Sequence, residues 1–454
     1  MERYIIIGLL VFSSFTKSNP IIKGVDISML KQVEENGGLF YDNGNQIDPI
    51  QTFKDKGINT ARIKIWHTPS LNYNNLESVL EIADRASSVG LDLLLDFHYS
   101  DTWADPSNQN KPSPWVDLTF EILCDSIEQY SRHVITKLKN QNTLPKYVQI
   151  GNETDCGLLW PDGYVCGESN NDSQWNQLGT LFTHAIDGVN SALDSQDTLE
   201  IISHVSSGGN WFFNNLFEQG VDIDILGISY YPMWHGTFTD LIHNIDELAN
   251  EFQKPVLIVE TAYPFTLEWN DNTNNIVGLE DQLLENYEAS EEGQSSFIQD
   301  LITLVDNSNH GLGICYWAPD WISTNQFGSP WENQALFDFN GEILDAITVF
   351  DNSSVGITRI DNFSFDNFYN YPNPFNSITT LGYHLSKNEL VTILIYDMLG
   401  NVIRNLVNAN QYSGYKTVEW NGRNNQGQSV SAGVYFYSIE AGDFRQTKKM
   451  ILLK

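Results

Sequence analysis

The sequence predicts an α/β fold: a (β/α)8 TIM barrel followed by a small all-β sandwich. Between Ile21 and about Phe350, eight short apolar or β-branched runs recur, each followed by a helix-like stretch, which is the arithmetic of such a barrel. Polar and aromatic residues crowd the C-terminal ends of those runs, the face on which barrels carry their sites. After Phe350 the chain changes to short alternating segments separated by Asn, Asp and Gly turns.

In chain order, Met1 to about Ser18 reads as a signal peptide. Arg3 supplies the positive start, Tyr4 to Phe15 is mostly apolar, and Thr16 to Pro20 is a polar exit, too short in total for a spanning helix. Residues 19–350 hold the barrel, with strands expected at Gly24 to Ser28, Thr60 to Trp66, Leu93 to Tyr99, Tyr147 to Glu153, Ile201 to Ser207, Ile225 to Pro232, Pro255 to Thr261 and Gly311 to Pro319. Amphipathic segments such as Leu76 to Ser88 and Cys124 to Lys139 lie between them. A doubly wound open sheet is the alternative, but no GxGxxG follows an early strand. Residues 351–367 are polar and read as a linker. Residues 368–454 form the sandwich, with strands expected at Thr379 to His384, Leu390 to Tyr396, Lys416 to Trp420, Gly433 to Glu440 and Thr447 to Leu453.

The 24 Lys+Arg stand against 58 Asp+Glu, a formal net charge of -34. Such a surface repels phosphate backbones and acidic membranes, so nucleic acid is excluded as a partner, while a neutral polysaccharide feels no such penalty. No later segment is apolar for long enough to cross a membrane. Cys156 and Cys166 share one Gly-rich loop and could oxidise to a bridge in an exported chain; Cys124 and Cys315, inside apolar stretches, are expected as buried thiols. No CxxC or HExxH spacing occurs, so no zinc site is expected and no cofactor is required.

Two glutamates, Glu153 and Glu260, stand at the ends of the fourth and seventh expected strands, across one mouth. Glycoside hydrolysis needs one carboxyl to protonate the departing oxygen and another to attack, or activate water at, the anomeric carbon. Asn152, directly before Glu153, suits a donor to the sugar 2-hydroxyl.

Several runs carry a resemblance: Gly24-Val-Asp-Ile-Ser28, Asp96-Phe-His-Tyr-Ser-Asp-Thr-Trp-Ala-Asp-Pro106, Gly151-Asn-Glu153, Ser229-Tyr-Tyr-Pro-Met-Trp-His-Gly236, Val259-Glu-Thr-Ala-Tyr-Pro264 and Trp331-Glu-Asn-Gln-Ala-Leu-Phe-Asp-Phe339. From Gly24 to about Phe350 the chain resembles glycoside hydrolase family 53, the endo-β-1,4-galactanases. The resemblance implies a retaining enzyme with Glu153 as acid/base and Glu260 as nucleophile, acting on the β-1,4-galactan of type I arabinogalactan and pectin side chains. Arg62, in Arg62-Ile-Lys64 where the family often has Arg-x-Arg, is expected to support the nucleophile. Ala318 departs from the common Trp-Glu-Pro and bears on subsite detail.

His98 and His204 are assigned to hydrogen bonding with sugar or carboxylate, Tyr230 to donating its hydroxyl to Glu260, and Trp317 and Trp103 to stacking under a pyranose ring. Some family members bind calcium near the loop after strand seven. Glu268 to Asn275 offers oxygens there, but a solvated acidic loop is the expected reading. The tail, with Tyr371-Pro-Asn-Pro-Phe375, Tyr396-Asp-Met-Leu-Gly400, Gly433-Val-Tyr-Phe-Tyr437 and Lys448-Lys-Met-Ile-Leu-Leu-Lys454, resembles the C-terminal sorting domain of the type IX (Por) secretion system, which implies export and a partner in the secretion machinery. A secreted or surface-held monomer is expected. The competing readings are another endo-β-glycanase of the same clan, acting on mannan, xylan or glucan, and a non-catalytic glycan-binding protein.

Overall fold

The computed structural model describes residues 20–351 and, in the C-terminal part, 368–453 apart from residues 372, 377, 386, 387, 412, 413 and 443. The signal-peptide segment and all of the linker but Asp351 lie outside the described residues. The chain divides into two compact units between Val355 and Gly356.

In the first unit, β1 (Ile22–Asp26), β2 (Thr60–Ile65), β3 (Asp92–Phe97), β4 (Tyr147–Ile150), β5 (Glu200–Val205), β6 (Ile225–Tyr230), β7 (Val256–Thr261) and β8 (Gly311–Tyr316) close a parallel barrel in the order β1-β8-β7-β6-β5-β4-β3-β2. Alternation along each strand sorts residues between the helices and the lumen. In β2, Ala61, Ile63 and Ile65 join the core shared with Val79, Ile82, Ala83 and Ala86 of the helix Leu76–Ser88. Each valine or isoleucine among them contributes roughly 1.5–3 kcal/mol. That helix starts where the Asn75 side chain accepts the Ser78 N–H, a cap that offsets one orphan donor.

The lumen is layered. Ile22, Leu94, Tyr147, Ile202, Ile225, Leu257, Val259 and Cys315 fill its lower part as a separate apolar cluster. One step further along their strands stand Asp96, Gln149 and His204, all buried. The apolar plug thus raises a polar layer to the C-terminal mouth. β1 and β8 approach so closely that a Cβ on Gly24 would lie 2.5 Å from Cys315 Sγ, which is why the first strand carries glycine there. Cys124 and Cys315 are buried thiols, as expected.

β4 ends at Ile150 although the sequence pattern runs on to Glu153. Gly151 (φ +82°) and Glu153 (φ +45°) turn into the left-handed region, which ends the strand and begins the loop.

The second unit contains two antiparallel sheets. One is ordered β9-β10-β13, from β9 (Tyr369–Tyr371), β10 (Thr379–Leu385) and β13 (Gly414–Trp420). The other is ordered β12-β11-β14-β15, from β11 (Glu389–Tyr396), β12 (Val402–Gln411), β14 (Gly433–Ala441) and β15 (Phe444–Leu452). Leu381, Tyr383 and Leu385 of one sheet share a core with Val391, Ile393, Ile395, Tyr437 and Ile439 of the other. β9 and β12 were not expected from sequence. β12 is an edge strand without a fully buried residue, so it lacks the alternation that marks its neighbours. Among the described residues no helix is long and apolar enough to cross a membrane.

Candidate active site

The polar layer is organised by Arg62. Its guanidinium donates to Asp26 Oδ2 (2.8 Å), Asp96 Oδ2 (2.9 Å) and Asn152 Oδ1 (2.8 Å), and reaches Glu260 Oε1 at 2.9 Å. Burial opposes its charge, but three carboxylates outweigh that cost. Gln149 donates to Asp96 Oδ1 (2.7 Å), completing a lattice that fixes the planar fork.

The two glutamates occupy different surroundings. Glu260 is buried, with Oε1 on Arg62 and Oε2 accepting the Tyr231 hydroxyl at 3.1 Å. Burial pushes its carboxyl upward, and Arg62 opposes this. Glu153 is half-buried; its Oε1 accepts the Ser229 hydroxyl at 2.8 Å. Burial first, and the Glu260 charge second, raise its pKa well above the ordinary carboxylate range. Of the two, Glu260 ionises first, because it alone touches a cation.

Asn152 accepts from Arg62 and donates an amide hydrogen to Ala104 O (2.9 Å). His98 bonds the carboxylate of Asp96 through Nε2 (3.0 Å) and accepts the Ala104 N–H at Nδ1 (3.0 Å). His204, fully buried, reaches the Glu153 carboxylate only through Ser229, whose Oγ is 2.9 Å from Nε2. Tyr230 departs from expectation. Its hydroxyl donates to Gly236 O (3.0 Å), and Tyr231 serves Glu260 instead.

An aromatic arc rings this floor. Ring centroids are 5.8 Å apart for Trp103 and Trp317, 6.3 Å for Trp317 and Trp331, 5.4 Å for Trp331 and Tyr231, and 5.4 Å for Tyr231 and Trp234. Trp317 is 6% exposed and Trp103 half-buried, whereas Trp234 is 59% exposed. The freest indole face is therefore beyond β6, at a position not singled out from sequence. Lys64 Nζ sits 4.3 Å from the Trp103 ring centroid, and burial pushes its ammonium down to about 8.

The loop after Glu153 is closed by the Cys156–Cys166 disulfide. Within it Asp155 accepts from the Ser206 N–H (2.8 Å) and hydroxyl (2.7 Å). The loop Glu268 to Asn275 is not simply solvated. Asp271 accepts from Ser329 N (2.9 Å) and Ser323 Oγ (2.6 Å), and buried Glu332 accepts from Asn270 N (2.7 Å). The carboxylates of Asp271 and Glu332 are thus engaged by protein donors, whereas Asn275 Oδ1 is buried without a hydrogen-bond partner; among the described residues no group of three or more His, Cys, Asp or Glu could hold a metal ion.

Sequence reasoning missed Ser229, Tyr231, Asp26, Asp96 and Gln149. The carboxylates were legible in principle: an acidic residue inside an apolar barrel strand must point into the lumen and be paired there.

A closed barrel with two unlike glutamates, one buried and one half-buried, set among aromatic rings at its C-terminal mouth has the layout of a glycoside hydrolase. Residues 22–350 match the model of glycosyl hydrolase family 53, and the chain belongs to that family. It is 36% identical over 350 residues to the arabinogalactan endo-β-1,4-galactanase of Cellvibrio japonicus, covering 74% of this chain and 91% of that one. It is 31% identical to the endo-β-1,4-galactanase of Bacillus subtilis, covering 74% and 86%. A family 53 catalytic domain from Ignisphaera aggregans superposes with a TM-score of 0.68 at 35% identity, covering 74% of this chain and 97% of that domain. Residues 370–453 match the secretion system C-terminal sorting domain, so this glycoside hydrolase is a secreted or cell-surface protein.

Proposed function

We propose that the protein is a retaining endo-β-1,4-galactanase that hydrolyses the galactan of type I arabinogalactan and pectin side chains, with Glu260 as nucleophile and Glu153 as acid/base. The observation that carries the roles is the asymmetry between the carboxyls. Glu260, oriented by Arg62 and Tyr231 and the first of the two to ionise, attacks the anomeric carbon. Glu153, with no cation in contact and its pKa raised, keeps the proton that the departing oxygen needs. After the glycosyl-enzyme forms, the ionised Glu153 takes a proton from water, which completes hydrolysis with retention. The names carried by relatives and the acidic surface both support a neutral galactan as substrate. No metal is required for these steps.

Azide distinguishes the two roles. In Glu260→Gly, azide enters the vacated space and displaces the leaving group once, giving an α-galactosyl azide. In Glu153→Ala, an activated aryl galactoside still forms the covalent intermediate; azide attacks it from the other face and yields the β-galactosyl azide. Swapped anomers would reverse the roles. A loss below about a hundredfold on galactan in both variants would remove the pair.

A further inference from the structure

The Glu153 carboxyl has two oxygens, and only one can carry the acidic proton toward the leaving group. Four neighbouring atoms determine which. The backbone N–H of Glu153 points at His204 Nδ1 over 3.2 Å, and Gln149 Nε2 lies 3.2 Å from the same atom. Asn152 Oδ1, 3.1 Å from Nδ1, favours the opposite tautomer, but it already accepts from Arg62. The backbone hydrogen cannot be rotated away, so Nδ1 is the acceptor. The buried ring is neutral, its pKa driven well below the ordinary value by burial and by Arg62. Its one hydrogen is then on Nε2, aimed at Ser229 Oγ (2.9 Å). With that lone pair filled, the Ser229 hydroxyl has one acceptor for its own hydrogen, Glu153 Oε1 at 2.8 Å.

Resting on the assignment of Glu153 as the acid, we infer that His204 and Ser229 form a directional relay that reserves Oε1 as an acceptor and keeps the transferable proton on Oε2. His204 is fully buried and Ser229 is 2% exposed, so Ser229 acts through Glu153 as a positioning residue, and His204 sets its direction. The relay also matters in the second half-reaction. When Glu153 is ionised, the Ser229 hydroxyl stabilises it without changing orientation, so no hydroxyl rotation accompanies the switch from acid to base.

The test is a comparison of leaving groups. General acid catalysis matters for galactan, whose departing alkoxide needs a proton, and little for a dinitrophenyl galactoside, whose phenolate does not. Ser229→Ala is expected to lower kcat/KM on galactan by about ten- to a hundredfold and on the dinitrophenyl substrate by less than about threefold. The alkaline limb of its pH profile should move up, because a bond to the ionised form is gone. Ser229→Thr keeps the hydroxyl and should retain the wild-type ratio between the two substrates even if packing lowers both rates. Equal losses on both substrates with an unmoved alkaline limb would make Ser229 merely structural, and an unchanged galactan rate would also overturn the relay. Glu153→Ala is the control: if it spares galactan hydrolysis, the acid assignment fails and the relay falls with it.

Discussion

Arg62 Nη1 lies 2.9 Å from Glu260 Oε1 and at the same time donates to Asp26 at 2.8 Å, so the nucleophile candidate shares its cation with a neighbouring strand. Removing the guanidinium would strand Asp26, Asp96 and Glu260 together in the lumen. Arg62→Met is therefore expected to lower the unfolding free energy by about 3–5 kcal/mol, measured by urea denaturation. A loss under about 1 kcal/mol would mean that water or Lys64 compensates.

Tyr231 and Tyr230 offer a paired test. Tyr231→Phe deletes the hydrogen bond to the Glu260 carboxylate, worth about 1.5–3 kcal/mol, so kcat should fall about ten- to a hundredfold with KM little changed. Tyr230→Phe deletes a bond to the Gly236 carbonyl and should cost about 1 kcal/mol of stability with kcat unaltered. The reverse pattern would restore Tyr230 to the role expected from sequence.

Thermal stability should report the raised pKa of Glu153. A carboxyl whose pKa rises on folding binds its proton more tightly in the folded state, so its contribution is full below the ordinary value of 4.5 and is lost as pH climbs through the folded value. Glu153→Gln stays neutral throughout. Its Tm relative to the parent should be constant below pH 4.5, rise in favour of the variant above it, and level off once Glu153 has ionised. A difference independent of pH would show that burial and the Glu260 charge do not raise the carboxyl.

A chain ended after Asp351 keeps the barrel core and every residue of the aromatic arc. Its kcat/KM on soluble galactan should be nearly that of the full chain, while export should be lost. A folded truncation without turnover would place part of the site in the tail.

Much of this architecture was legible from periodicity, because eight buried parallel strands must each read as an apolar run and their polar ends must gather at one mouth. Asn152, Glu153 and Glu260 followed from that, Arg62 followed from the family resemblance, and the structure brings the four together. The role expected for Tyr230 rested on its place at the strand end, whereas two-residue alternation from Ile225 in the lumen puts Ser229 and Tyr231 on the lumen face and Tyr230 against the helices, where its ring packs beside Phe238 and Phe297. Ser229 was hidden for another reason: a small hydroxyl gains meaning only from neighbours on other strands, here His204 and Glu153.

The Cys156–Cys166 bridge carries a further consequence, about place and time. Cytosolic thiol pools keep such pairs reduced. The ten-residue span that follows Glu153 by three positions can therefore be latched only once the chain has left that compartment. A chain that has not left it keeps that loop open beside Glu153, and the latch closes in the first oxidising compartment the chain enters.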